Sequence, residues 1–286
     1  MTRRYRFRVV NVFAESRLAG NPLAVVEDAE GLSDDEMQQL ALQFNLSEST
    51  FILASARADA YVRIFTPTFE MPFAGHPTLG TAHVVRATTR RAGDALSLEM
   101  KAGLIPVRAG TSGDRDVWTL TANAPTYKDY EFSNAQVAQA LGLDEAEIAG
   151  RPIWVNAGVE QLIVPLLSVD AVARARPDTQ GCLKFCANFM EAQAYVFARR
   201  DAGNIVSRYF FYQNGALIED PGTGSACANL GGYLAATGVP LPLRADVHQG
   251  AATGRSCLLH LDIDADGRIR VGGRVVELMS GEIVLD

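Results

Sequence analysis

Residues Glu70–His83, EMPFAGHPTLGTAH, pass from an acidic residue through Pro72 to a sharp turn at Gly75 and Pro77, then into residues that read as a helix. His76 stands at the mouth of that helix. A second stretch, Glu219–Leu234, EDPGTGSACANLGGYL, has the same layout of acid, proline, glycine-rich turn and small-residue helix. Upstream of each lies an Arg-x-Phe strand, Arg63-Ile64-Phe65 and Arg208-Tyr209-Phe210. The two stretches read as copies of one unit, facing each other across a cleft that holds a small anionic substrate.

Bulk properties fit that reading. The chain has 286 residues, enough for one large domain or two of ordinary size. Apolar residues make up 48% and charged residues 21%, which supports packed cores. The net charge of −7, with no basic cluster, argues against nucleic acid and anionic membranes as partners. A small anion stays open, because a nest of backbone N–H groups can hold one on an acidic protein. No stretch approaches the ~18 uninterrupted apolar residues of a membrane span. The basic start leads into a short alternating run and reads as a strand rather than a signal peptide. The cysteines, Cys182, Cys186, Cys227 and Cys257, are irregularly spaced, as in a reduced, cytoplasmic protein.

Outward from the first loop, residues 78–90 are small and apolar on nearly all sides, the pattern of a buried helix. Before it come a strand over 5–13, the turn Gly20-Asn21-Pro22 and a short strand at 23–26. A helix follows, started by a Ser33–Glu36 capping box and ended at Asn45. After it come strands at 96–100, 105–109 and 117–121. Asn123–Glu131 has no clear period and reads as a linker between two domains, 1–126 and 127–286, with the last strand able to pack back on the first. The second half repeats the order: a capped helix from Ser133, strands, a hairpin-like pair at 192–198 and 205–211, the second loop and helix, and terminal strands. Regular β-α-β alternation is missing, so the reading is α+β, each half wrapping strands around one apolar helix.

Gly75 in the first loop, and Gly222, Thr223, Gly224 and Ser225 in the second, stand just before a helix. The first N–H groups of a helix have no internal partner, and glycine lets a carboxylate approach them. Ordinary capping is the other reading of either loop alone; two matched loops favour binding. Neither is a Walker loop or a Rossmann fingerprint. Glu48 lies among apolar Phe44, Leu46 and Phe51, where partial desolvation suits acid/base work, although local sequence alone favours an exposed loop glutamate. His76 reads as a proton carrier or a helix-end hydrogen-bonder. Asp220 either orients His76 or the substrate, or starts a turn. Cys182 and Cys186 lack a second pair at zinc spacing, so no metal is expected.

Gly20-Asn21-Pro22-Leu23-Ala24-Val25-Val26, Asn45–Phe51, Pro72–Gly80, Glu219–Ala226 and Gln249-Gly250 with Gly254-Arg255-Ser256 resemble, in order, the motifs of the PhzF family of phenazine-biosynthesis isomerases. The resemblance covers nearly the whole chain. It implies the diaminopimelate epimerase-like fold of two similar domains with the site between them, an enzyme without cofactor, and a homodimer. It makes Glu48 the proton-transferring acid/base and places His76, Asp220 and Ser225 in the same site, against the local reading of Glu48. The epimerase branch uses two cysteines, at positions occupied here by Ala74 and Pro221. What remains suits moving a proton within one small carboxylate-bearing molecule, with Glu48 taking it and returning it elsewhere.

The chain also departs from the phenazine enzyme's pattern. Ala228-Asn229-Leu230 replaces Gly-Pro-Leu, Gly222 replaces alanine, and Val155–Glu160 lacks the expected His and Pro-Arg-His. These differences point to a substrate other than dihydro-hydroxyanthranilate. The competing readings are a non-catalytic small-molecule or protein-binding relative and a one-base epimerase.

Overall fold

The structure is a computed structural model that describes residues 2–89, 93–112, 115–188, 191–213 and 215–286, without the side chains of 111, 112 and 115. Its elements begin with β1 (Arg3–Val12), β2 (Asn21–Val26), α1 (Asp34–Phe44), β3 (Ser49–Leu53), β4 (Ala60–Phe65), β5 (Glu70–Met71) and α2 (Gly75–Thr89). Then come β6 (Ala95–Met100), β7 (Gly103–Ser112), β8 (Arg115–Thr121), β9 (Thr126–Asp129) and α3 (Asn134–Leu141). They continue with β10 (Ile153–Asn156), β11 (Glu160–Pro165), α4 (Val169–Arg174), α5 (Thr179–Phe185), β12 (Gln193–Arg199) and β13 (Asn204–Gln213). The last are β14 (Ala216–Asp220), α6 (Gly224–Ala236), β15 (Leu243–Gln249), β16 (Cys257–Ile263), β17 (Ile269–Gly273) and β18 (Val275–Leu285). The chain divides into one unit of Met1–Thr121 with Gly272–Asp286 and a second of Ala122–Val271.

Both units have one strand pattern. In the first, β18 pairs antiparallel with β1, β1 antiparallel with β2, β2 parallel with β3 and β3 antiparallel with β4. Next, β4 pairs antiparallel with the short β5 and parallel with β6, and β6 antiparallel with β7. In the second unit β9, β10, β11, β12, β13, β14, β15 and β16 pair in the same sequence of senses. The helix after the short hairpin is α2 in one unit and α6 in the other. Residues Ala226–Leu234 of α6 are all buried, and α2 is buried from His76 to Val85 except at His83. A helix buried on all sides needs surroundings on all sides, and the strands packed around each helix supply them.

Local signals account for the outer helices. Ser33 and Glu36 form the reciprocal capping box of α1, and Asn45 closes it in the left-handed conformation at φ 50°. Met37, Leu40 and Ala41 face Tyr5, Val26, Phe51 and Phe65 in a core of the first unit. Ser133 and Gln136 cap α3 likewise, and Gly142 ends it. The first central helix begins at Gly75, three residues before the expected 78, and is described to Thr89; residue 90 lies outside the described residues. The expected linker 123–131 contains β9, which pairs with β10. All four β9 residues are exposed, so the strand is held by backbone hydrogen bonds and leaves no apolar period to read. β15 was also not expected from sequence, although its buried residues alternate cleanly.

Candidate active site

In the first unit, Glu48 lies one residue before β3 and His76 is the second residue of α2. Thr50 on β3 and Thr81 on α2, both fully buried, share a 2.8 Å hydroxyl hydrogen bond that fixes these elements together. The result places His76 Nε2 3.4 Å from Glu48 Oε2, with side chains only 7% and 16% exposed. Glu48 is therefore not the exposed loop glutamate that its local sequence favours.

The other edge of the imidazole meets the first glycine turn of the chain. Asn21 Nδ2 lies 3.4 Å from His76 Nδ1. The ring also donates to the Pro22 backbone carbonyl, since proline offers only an acceptor. Gly20 lets the turn fold against the end of β1: at φ 87°, a Cβ there would lie 2.6 Å from Ala14 Cβ and 2.7 Å from the Val12 carbonyl oxygen. Burial pushes the His76 pKa down to about 3, partly offset by the Pro22 bond. The ring is neutral at physiological pH and adds no countercharge to Glu48.

In the second unit, Asp220 ends β14, Thr223 is the N-cap of α6, and Gly224 and Ser225 are its first two residues. Gly222 lies in the turn before them. The Thr223 hydroxyl makes no side-chain cap bond; it donates instead to Asp220 Oδ2. Gln249 holds the loop from outside. Its Nε2 donates to Asp220 O and Thr223 Oγ1, each at 2.9 Å, and its Oε1 accepts from Thr223 N at 3.3 Å. Gly250, at φ 83°, lies so close that a Cβ would collide with the carbonyl oxygens of Pro221 and Arg255.

Ser225 accepts a 3.1 Å hydrogen bond from Gln161 Nε2. Gln161 Oε1 accepts in turn from Asn229 Nδ2 at 2.8 Å. Cys227, fully buried on α6, has its thiol pushed up by burial, so it stays protonated and unreactive. Cys182 and Cys186 are buried as well, and among the described residues no three His, Cys, Asp or Glu side chains cluster as metal ligands.

The sequence-derived candidates thus fall into two sets. Glu48, Gly75 and His76 gather at the start of α2, and Asp220, Gly222, Thr223, Gly224 and Ser225 gather at the start of α6. Sequence reading missed Asn21, Gln161 and Gln249 as members. Asn21 and Gln249 sit in the Gly-Asn-Pro and Gln-Gly segments, so those motifs were the available signal. Gln161 reads as an ordinary strand residue.

Comparison with known proteins places these segments in context. The family described as phenazine biosynthesis-like protein, PhzC-PhzF, matches residues 10–281. An uncharacterized isomerase of Pasteurella multocida is 38% identical, over 98% of this chain and 94% of that protein. The trans-2,3-dihydro-3-hydroxyanthranilate isomerase of Pseudomonas aeruginosa is 32% identical, over 98% of this chain and 100% of that one. A crystal structure of a PhzF-family phenazine biosynthesis protein from Bacillus anthracis superposes with a TM-score of 0.89 at 25% identity, covering 99% of this chain and 100% of that one. Sequence and fold together make this chain a member of the phenazine biosynthesis-like PhzC-PhzF family, built on the diaminopimelate epimerase-like α+β fold.

Proposed function

We propose that this protein is a cofactor-independent isomerase that moves a proton within a small carboxylate-bearing molecule, with Glu48 as the general acid/base. The isomerase class is supported by the relatives named above. The observation that carries the mechanism is the Glu48–His76 pair: a partly buried carboxylate beside an imidazole that burial keeps neutral. The neutral imidazole brings no positive charge of its own to Glu48, and a carboxylate in a partly buried site suits taking a proton from an activated carbon. The same carboxyl group then returns the proton to another position of the substrate.

The loop from Asp220 to Ser225 is the part we assign to recognition. The N–H groups at the start of α6 lack a side-chain cap from Thr223, and they suit the substrate carboxylate and the negative charge that develops as the proton leaves. Two-thiol racemisation does not fit. Ala74 and Pro221 stand at the thiol positions, and Cys227 is buried and protonated.

The test is proton NMR in D₂O with trans-2,3-dihydro-3-hydroxyanthranilate, comparing the natural chain with Glu48→Gln. Glu48-dependent deuterium incorporation is expected from the natural chain, on this compound or on one of a panel of small amino and hydroxy acids, and at least ~10²-fold less from the variant, the usual scale of a lost acid/base group. A natural chain inert here and towards small amino and hydroxy acids, with no Glu48-dependent exchange, would leave the non-catalytic binding reading in its place.

A further inference from the structure

Asn229 stands on α6 where the phenazine enzyme's pattern has proline, and it is fully buried. Its amide is oriented by backbone groups whose polarity cannot change. Asn229 Oδ1 accepts from the Ala157 N–H at 2.7 Å, and Nδ2 donates to the Val159 carbonyl at 2.8 Å. With that NH₂ also directed at Gln161, 2.8 Å away, the facing Gln161 atom must be its oxygen. Gln161 Nε2 is then the atom that faces Ser225 Oγ at 3.1 Å. The order is self-consistent further on. Gln161 also hydrogen-bonds Tyr209, the Tyr209 hydroxyl donates to Gln193 Oε1, and Gln193 Nε2 donates to the Glu160 carbonyl at 2.7 Å.

We infer that Asn229 is a positioning residue that fixes the polarity of this amide chain, so that Ser225 accepts from the protein and offers its own O–H to the ligand. A serine hydroxyl has one proton; with Gln161 as its donor, that proton is available for an acceptor. Ser225 can therefore donate to a ligand group that only accepts hydrogen bonds, which the reversed order, with its proton spent on Gln161, would not allow. That the acceptor is the substrate carboxylate rests on the isomerase reading above; the polarity of the chain does not. In this account, the departure at position 229 alters the substrate subsite through Gln161 without touching the ligand.

Neutron diffraction from crystals of the deuterated full chain reads the polarity directly. The expected map has a deuteron of the Gln161 amide aimed at Ser225 Oγ and the Ser225 deuteron off that line. A Ser225 deuteron lying between Oγ and Gln161 overturns the inference. In Asn229→Asp a carboxyl oxygen faces Gln161, so its amide is expected to turn over and capture the Ser225 proton; an unchanged Ser225 deuteron there also overturns it.

Calorimetric titration then tests the ligand class, with 3-hydroxyanthranilate as the probe and 2-aminophenol as its counterpart without the carboxylate. Ser225→Ala and Asn229→Asp are each expected to weaken the carboxylate probe by about tenfold or more, the scale of one charge-assisted hydrogen bond, and to leave 2-aminophenol unchanged. Equal weakening of both probes means a general loss of structure and overturns the positioning role. If Asn229→Asp does not fold, the natural chain's neutron map and Ser225→Ala still decide. A natural chain that binds neither probe, with the expected map, supports the polarity and counts against the substrate reading alone.

Discussion

His76 shows how a single residue carries both stability and chemistry. Its ring stays neutral because burial removes water that would solvate a charge. The unfolded chain takes up a proton at this histidine near the ordinary value of 6.5, whereas the folded chain does so only near 3. The folded-state value is depressed, so the contribution is complete above pH 6.5 and is lost as pH falls through that window. Between pH 7 and pH 5 the natural chain should lose about 2 kcal/mol through this group, a loss that His76→Gln should not share. Urea unfolding of both proteins at the two pH values measures the difference, and parallel losses would rule the ring out as its source. Glu48 was misread locally for a physical reason. Its immediate neighbours Ser47, Ser49 and Thr50 are small and polar and look exposed, but the group beside it, His76, comes from another element. His76 itself was placed correctly by its glycine turn, yet nothing around it in sequence says that its ring is buried.

At the scale of elements, the Arg-x-Phe strands mark a device that is built twice. Arg63 pairs with Glu70 across β4 and β5 at 2.8 and 2.6 Å, and Arg208 pairs with Glu219 across β13 and β14 at 2.9 and 2.7 Å. Each guanidinium also lies over the phenylalanine two residues on, Phe65 or Phe210. The pairs hold the short hairpins from which the two glycine-rich loops depart. Their surroundings differ. Arg63 has a second carboxylate, Asp34, at 2.5 Å, and Glu70 a second, exposed cation, Lys101, at 2.6 Å, whereas among the described residues Arg208 otherwise reaches the backbone carbonyls of Val172, Ala173 and Ala175 at the end of α4. Removing one partner of a buried pair costs about 3–5 kcal/mol because the other charge is left behind. Glu219→Ala should approach that figure and Glu70→Ala should fall short of it. Chemical denaturation of the two variants checks the order, and equal costs would refute the role of Asp34. The recurrence of arginine, phenylalanine and acid was legible in sequence; the ion pairs were not, because the partners lie 7 and 11 positions apart and the hairpin brings them together.

At the scale of the molecule, the two units complete the same strand order by different routes. The second unit has β9 at its own start, and the first draws β18 from the far end of the chain. β18 covers the whole of β1, and Arg4–Glu282 and Arg8–Glu277 ion pairs cross the seam. Deleting residues 274–286 would strip β1 of that partner and leave an open edge. Limited proteolysis of the truncated protein should then cut readily within residues 2–121, while 122–271 stays protected. Protection of both regions would show that β18 is dispensable.

The sequence by itself determined the α+β class, the repeat of loop and buried helix, the capped outer helices and the order of family motifs. All of these depend on neighbours along the chain: spacing, caps, turns and apolar runs. The tertiary structure decided what depends on distant partners. It turned the expected linker into β9 through backbone bonds to β10. It made a half-buried pair of Glu48 and His76 from segments 28 residues apart. It also set Gln249 under the second loop and Asn229 behind Ser225 through Gln161. Amide side chains carry no signature of what they will face, because their polarity has meaning only once the groups on both sides are in place.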